Sequence, residues 1–357
     1  MGELKLMKGN EALAEAMILA GADAYFGYPI TPQSEVLEYL AEQKVFERTG
    51  MVVLQAESEV AAINMIYGAA GSGKRVVTTS SSPGYSLMQE GMSYITAAEL
   101  PCLICNVVRG GPGLGTIQPS QADYFQATRG GGHGDYYTIV LAPSSVQEIV
   151  DFVKLGFELA EKYRNPVLIL SDGAIGQMKE KVEFFEQMPR RTVFPDWATT
   201  GKIKDKPARV ITTLNIESEK MEILNLHLQE KYTKIRENEA LYETYNVEDA
   251  DFIFTGFGLV GRICVKAMEM AREKGYKVGV IRPITLFPFP TEIYKKYAPK
   301  VKGILDVEMN AGQMVEDVRL SVNGVTPVDF YGRMGGMIPA PDAILEHFEK
   351  HFLAGGK

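Results

Sequence analysis

Ala24-Tyr25-Phe26-Gly27-Tyr28-Pro29-Ile30-Thr31-Pro32-Gln33 is the stretch on which the fold turns. It reads as a strand over residues 24–30 that passes directly into a helix from Gln33. Two prolines flank the single hydroxyl of Thr31. Each fixes its own φ and disfavours α conformation in the residue before it. The turn is therefore stiff and holds Thr31 at the carboxyl edge of a sheet, where open α/β sheets bind ligands. A plainer reading makes Thr31 the N-cap of the helix, with Glu35 nearby.

Outward from that stretch, residues 10–170 alternate helix and strand. Strands are expected near 24–30, 51–55, 75–80, 101–108, 138–142 and 166–170. Helices are expected from Gly9-Asn10 to Ala20 and near 33–47, 59–71, 84–98 and 145–163. Runs rich in Val, Ile and Leu with helices between them imply a parallel sheet covered on both faces. Gly110 to Gly134 is a long glycine-rich loop, a length that is usually functional or disordered. Residues 176–217 lose the alternation and read as a surface linker. Residues 218–245 carry a charged helix pattern, with Met221, Ile223, Leu224, Leu226, Leu228 and Tyr232 as apolar positions. A second α/β unit starts at Asp251, with a helix near 261–274 and strands near 277–282, 302–307 and 326–330. The expected organisation is a first domain over 1–180, a linker and charged helix over 181–245, and a second domain over 246–357.

Composition narrows the function. The 357 residues carry a net charge of −8, against a nucleic-acid surface, which needs clustered Lys and Arg. The basic pairs Arg190-Arg191 and the run Lys202–Lys206 have acids close by and read as solvated faces. No apolar run reaches membrane-span length. Met1-Gly2-Glu3-Leu4-Lys5 lacks a signal-peptide core, and Leu6 stands where myristoylation needs Ser or Thr. A cytoplasmic protein is expected. The three cysteines are Cys102, Cys105 and Cys264. The CxxC pair lies on a strand, where residues three apart face opposite ways, and three thiolates cannot supply the four of a typical iron–sulfur cluster. The four histidines read as scattered, without an HExxH pair.

Two glycine-rich motifs resemble phosphate loops. Gly68 to Arg75 nearly spells a P-loop, but it follows a helix and precedes a strand, the reverse of the required order. A glycine-rich C-cap fits better. Gly256-Phe257-Gly258-Leu259-Val260-Gly261 follows a strand and opens a helix. The first acid at a strand end, Asp306, lies far beyond the spacing expected of a ribose ligand, so a structural turn is favoured.

Two further sites carry chemistry. Gln55-Ala56-Glu57-Ser58-Glu59 places two carboxylates at a strand-to-helix junction, two residues apart and hence on different faces. One can cap the helix and the other act elsewhere. Arg109 ends a buried strand where the glycine-rich loop begins. Its paired N–H donors suit a carboxylate, and ion pairing with Asp123 or Glu99 is the structural alternative.

Together these sites resemble the α-type subunit of the thiamine-diphosphate-dependent 2-oxoacid:ferredoxin oxidoreductases. The likeness is carried by Gly27 to Glu35, Gln55 to Glu59, Ser81-Ser82-Pro83-Gly84, Arg109 to Gly113, Gly130 to Gly134, Tyr163 to Val167 and Arg282-Pro283-Ile284. It covers nearly the whole chain. Within the family it is greatest to the type acting on 2-oxoisovalerate (3-methyl-2-oxobutanoate). The resemblance implies an α/β pyrimidine-binding domain followed by a domain like the C-terminal domain of transketolase. It implies that Glu59 hydrogen-bonds the pyrimidine ring as a general acid–base group, that Pro29 and Ile30 line the cofactor, and that Thr31 and Arg109 orient the oxoacid. His133 is a further candidate near the substrate, with loop packing as the alternative. The reaction implied is decarboxylation with the cofactor as electron sink, single electrons passing to ferredoxin through iron–sulfur clusters and the acyl group to coenzyme A. The Gly-Asp-Gly and paired-asparagine signature of the pyrophosphate–magnesium site is missing. A β-type partner is thus expected to carry magnesium, with γ-type and ferredoxin-like δ-type partners for the clusters. The alternatives are a subunit of a split, non-oxidative oxoacid decarboxylase and a non-catalytic scaffold subunit. A nucleotide-binding module built on Gly256 to Gly261 ranks behind these.

Overall fold

The computed structural model describes residues 4–202, 204 and 207–353. Met1 to Glu3, and Ile203, Asp205 and Lys206 of the basic run, lie outside the described residues. The first sheet has seven strands. Across it run Thr285–Phe287, Ile139–Leu141, Val167–Asp172, Leu103–Val108, Val76–Ser80, Ala24–Gly27 and Val52–Gln55. All neighbours are parallel except Thr285–Phe287, which lies antiparallel on Ile139–Leu141. The three central strands are buried along their whole length, which accounts for their unbroken Val, Ile and Leu runs.

Ala24–Gly27 sits between Val52–Gln55 and Val76–Ser80. The chain therefore departs in opposite directions from the ends of Ala24–Gly27 and Val76–Ser80. That divergence opens a crevice at the carboxyl edge, the place where such sheets bind ligands. The second sheet has five strands, in the order Val328–Gly332, Gly303–Glu308, Phe252–Thr255, Val278–Pro283 and Tyr242–Tyr245. Only the Tyr242–Tyr245 edge is antiparallel.

Several features differ from the sequence expectation. The opening strand stops at Gly27, leaving Tyr28 to Gln33 as a free-standing turn. The charged helix covers Ser218–Asn238 and ends before the strand Tyr242–Tyr245. Its buried face is Leu228, Lys231, Tyr232 and Ile235, whereas Ile223 and Leu226 are exposed. Thr285–Phe287 returns from the second unit to edge the first sheet. Arg190 and Arg191 are not free solvated charges. The described residues between 183 and 216 form no regular element, so side chains must hold them. Arg190 donates to Thr49 O and Asp23 Oδ1, both at 2.7 Å. Arg191 pairs with Glu161 at 2.6 Å and donates to Gly73 O at 3.1 Å. Among the described residues no helix is long and apolar enough to cross a membrane.

Candidate active site

The Tyr28–Gln33 turn is braced from below by a buried polar chain. Ile30 O accepts from Gln33 N at 2.9 Å. The Gln33 side chain is fully buried; its Nε2 donates to Tyr28 O at 3.1 Å. Its Oε1 accepts from Thr79 Oγ1 at 2.5 Å, so the Tyr25 hydroxyl, 2.7 Å from Thr79 Oγ1, must donate to that threonine. Gly27 allows this arrangement, because a Cβ there would collide with the Tyr25 hydroxyl. Thr31 is not the helix cap. The helix runs Ser34–Glu42 from Gln33, without a side-chain cap bond. Glu35 instead accepts from Gln177 at 2.8 Å and Asn10 at 3.0 Å. Thr31 is left exposed at the tip, with Pro29 and Ile30 half-buried beside it.

At the next junction the cap is Ser58, whose Oγ accepts from Ala61 N at 3.2 Å. That releases both carboxylates from capping. Glu57 is exposed and accepts from Ser58 Oγ at 2.8 Å. Glu59 is buried, 5% exposed, at the first position of the helix Glu59–Gly71. No side chain among the described residues donates to it. It lies against Gly84, where a Cβ would collide with Glu59 Oε1 and Ser80 Oγ. The Ser80 hydroxyl is itself buried without a partner. A buried carboxylate left without donors is costly, so this pair is built to meet something outside the chain.

Arg109 closes the opposite side of the same turn. Its backbone N donates to Ser82 Oγ at 3.1 Å. Asp123 organises the turn, accepting from Ser82 Oγ at 2.7 Å and Asn106 Nδ2 at 2.8 Å. Burial pushes the Asp123 carboxyl above its usual range, and these two hydrogen bonds only partly oppose the rise. The Arg109 guanidinium donates to Thr31 O at 2.9 Å and Leu114 O at 3.1 Å. Arginine has five N–H donors. Two are thus engaged, and Nε is buried without a partner. Neither Asp123 nor Glu99 pairs with Arg109; Glu99 is taken by Lys231 and His227.

The structure thus joins Thr31 to Arg109 directly. Glu59 stands apart from them, against Gly84 of the helix Ser82–Leu87. A cavity of about 440 Å³ opens in front of Arg109. Pro83, Pro112 and Asp123 line it from the first unit, and Met309, Gln313 and Met334 from the second. Among the described residues Arg109 is the only cationic side chain in its lining. The contribution of Met309 to Gln313 was invisible in the sequence, as it depends on how the two units dock. Asn106 left a signal, a buried amide at the end of an apolar strand.

Other candidates fall outside this constellation. His133 is exposed, sits edge-on to Tyr94 at 5.7 Å and does not line the cavity. Each glycine of Gly256 to Gly261 has a structural task. Gly258, at φ +52, approaches Gln121 and Pro143 of the first unit. A Cβ at Gly261 would meet Arg282 Cγ at 2.6 Å. The buried Asp172 carboxylate accepts from Ala174 N at 2.9 Å and Ile175 N at 3.1 Å, and also from Leu259 N. The helix Gly258–Glu273 therefore meets an internal anion where a phosphate would sit. Gly68 to Lys74 ends a helix and precedes a strand, with Ser72 as C-cap. Burial pushes the Cys105 thiol up to about 12 and raises Cys102 and Cys264 as well, which disfavours the thiolate form a metal needs.

Residues 15–249 match the family described as pyruvate flavodoxin/ferredoxin oxidoreductase, thiamine-diphosphate-binding. Residues 250–344 match pyruvate:ferredoxin oxidoreductase core domain II. The chain is 47% identical to the ketoisovalerate oxidoreductase subunit VorB of Methanothermobacter marburgensis, over 93% of both chains. It is 34% identical to the 2-oxoglutarate synthase subunit KorA of Methanocaldococcus jannaschii, over 96% of this chain and 98% of that one. Among solved structures it resembles a 2-oxoglutarate:ferredoxin oxidoreductase from Magnetococcus marinus, with a TM-score of 0.87 and 28% identity. That match covers 98% of this chain and 65% of the other. A split-gene transketolase aligns with a TM-score of 0.60 at 14% identity, a likeness of fold alone.

Proposed function

We infer, for a chain that belongs to the thiamine-diphosphate-binding pyruvate flavodoxin/ferredoxin oxidoreductase family, the role of α-type subunit in a branched-chain 2-oxoacid:ferredoxin oxidoreductase. The reaction is oxidative decarboxylation of an oxoacid such as ketoisovalerate to acyl-coenzyme A and carbon dioxide, with electrons to ferredoxin. The observation that carries this reading is the buried, donorless Glu59 carboxylate at the switch crevice.

The residues present fit thiamine diphosphate. Glu59 would hold the pyrimidine ring, with Pro29 and Ile30 bordering it. When bound, the cofactor supplies an electron sink for decarboxylation. Glu59 offers a proton acceptor or donor at its carboxyl oxygens. Arg109 offers its free N–H donors to the oxoacid carboxylate, and Thr31 its exposed hydroxyl. The bond from Arg109 to Thr31 O keeps the two in register. With one cation in its lining, the cavity matches a monocarboxylate carrying an aliphatic tail, whereas 2-oxoglutarate needs a second cation.

We assign residues 1–180 to the pyrimidine-binding unit, 181–245 to the linker and helix, and 246–357 to the transketolase C-terminal-like unit. Partner subunits complete the enzyme: a β-type chain with the pyrophosphate–magnesium site, and γ- and δ-type chains, the latter with iron–sulfur clusters. The exposed apolar side chains of Val52, Leu54, Val60 and Met65, on the edge strand and the helix after it, suit a docked partner.

The test is oxoacid-dependent viologen reduction by the complex purified without oxygen. Reduction that requires both coenzyme A and thiamine diphosphate, fastest with ketoisovalerate, is expected. No reduction by an intact, iron-containing complex would sink the reading.

A further inference from the structure

Two of the four histidines in the chain converge on one carboxylate, away from the cavity lining. Reading the histidines as scattered was wrong for these two. His347 ends the helix Pro341–Phe348, and His351 sits in the wider turn Glu349–Leu353 that follows. Asp329 lies on Val328–Gly332, the outer strand of the second sheet. We propose that Asp329, His347 and His351 form a binding site for a divalent transition-metal ion of the zinc class.

The donor atoms carry the argument. His347 Nε2 and His351 Nδ1 each lie 2.9 Å from the same oxygen, Asp329 Oδ2. One ligand atom from each residue falls within 4.8 Å of the other two. Zinc binds imidazole nitrogen and carboxylate oxygen at about 2.0–2.2 Å, so a 2.9 Å nitrogen–oxygen separation subtends about 90° at a shared ion. The rings stack at 3.9 Å and 24°, which keeps the two imidazoles side by side. Because both nitrogens address the same oxygen, the three donor atoms form one compact cluster. The His-x-x-x-His spacing places both rings on one helix face, as in metal-binding helices.

The surroundings fit as well. Phe330 N–H also donates to the Asp329 carboxylate, fixing its direction as partners of metal ligands do. His351 is 41% exposed and Asp329 34%, which leaves room for water on the remaining positions. Two imidazoles and one carboxylate favour zinc, cobalt or nickel over calcium and magnesium, which prefer all-oxygen sites. A bound ion would clip the C-terminal helix to the outer strand of the second sheet.

The experiment is calorimetric titration of the tag-free, chelator-stripped full chain with zinc chloride, repeated with cobalt to read its visible absorption. One equivalent is expected to bind, with the cobalt spectrum of mixed nitrogen and oxygen ligation. His351→Ala should weaken binding by more than about tenfold, the loss typical of removing even a group one layer further out. Asp329→Asn should do the same and carries the test should His351→Ala fail to fold. His227→Ala removes an exposed histidine elsewhere and should bind like the parent. No binding by the parent chain, or equal binding by all three variants, would overturn the site and leave only two hydrogen bonds.

Discussion

The two sheets share a parallel architecture but treat their carboxyl edges in opposite ways. At the second sheet the chain answers its own charges. Glu308 accepts from the backbone N–H groups of Gln313, Met314 and Val315 at 2.9–3.0 Å, capping the helix Met314–Val322. Arg282 is fully buried between Glu148 of the first unit and Glu243 of the edge strand. Asp306 beside them is buried without a partner, and desolvation with the neighbouring Glu308 charge pushes its carboxyl well above the usual range. At the first sheet Glu59 and the unpartnered Ser80 hydroxyl both border Gly84, and Arg109 keeps unused N–H groups beside a cavity. The same edge geometry thus serves cohesion in one unit and, in the proposed function, recognition in the other. What separates them is that Glu308 and Arg282 find their partners within the chain, whereas Glu59 and the spare N–H groups of Arg109 do not.

The contrast breaks most readily at Glu59. Glu59→Gln keeps the shape but removes the acid–base function. It should lower kcat for viologen reduction by about 10²–10⁴-fold, the usual contribution of a positioned proton donor or acceptor. Thermal unfolding of the complex should hold or rise, since a buried charge without donors is lost. A melting temperature that falls together with kcat would make Glu59 structural. On the opposite edge Arg282→Met should show the converse. Removing one partner of a buried ion pair costs about 3–5 kcal/mol, here with Glu148 and Glu243 left facing each other. Denaturant unfolding should reveal that loss, while KM for the oxoacid stays unchanged in the folded fraction.

Arg109→Lys sharpens the recognition side. A single ammonium cannot hold Thr31 O, Leu114 O and a carboxylate together. A hydrogen bond to a charged group is worth about 1.5–3 kcal/mol. KM should therefore rise by about 10- to 100-fold, with stability little altered. An unchanged KM would move the oxoacid away from this cavity.

The recognition edge was largely legible in the sequence, and the cohesive edge was not. Thr31, Glu59 and Arg109 stand at strand ends within short local patterns, where proline, a helix start and a glycine loop mark them. Even there the local capping roles went elsewhere, to Ser58, while Thr31 caps nothing. The cohesive edge depends on residues far apart in the chain. Arg282 and Glu148 are separated by 134 positions; the Arg190–Asp23 pair, on the first unit, likewise spans 167. No periodicity reports such pairs. Tyr242–Tyr245 was hidden because its apolar residues also fit the end of a helix, and pairing with Val278–Pro283 decides the matter. The His347–His351 pair was in plain view in the sequence, but it gained meaning only when Asp329 was brought to it from another strand.

The smallest test lies where the two units meet, at Asp172. Burial raises its carboxyl to about 6, against the opposing pull of three backbone N–H groups. An unfolded aspartate titrates near 3.9, so the folded chain holds this proton more tightly between those values. Its contribution to stability is therefore fully present below about pH 4 and is lost as the pH rises to about 6, on the order of 3 kcal/mol in all. Asp172→Asn cannot lose that proton and keeps an oxygen for the helix N–H groups. The stability of the variant minus that of the parent should climb between pH 4 and 6 and level off above. Urea unfolding at four pH values measures it, and taking the difference cancels carboxylates such as Glu35, which shift the other way. A flat difference would mean that Asp172 stays ionised in the folded chain. The N–H groups of Ala174, Ile175 and Leu259 would then compensate it in full, as Glu308 is compensated by its own helix, and the seam would belong wholly to the cohesive side of the comparison.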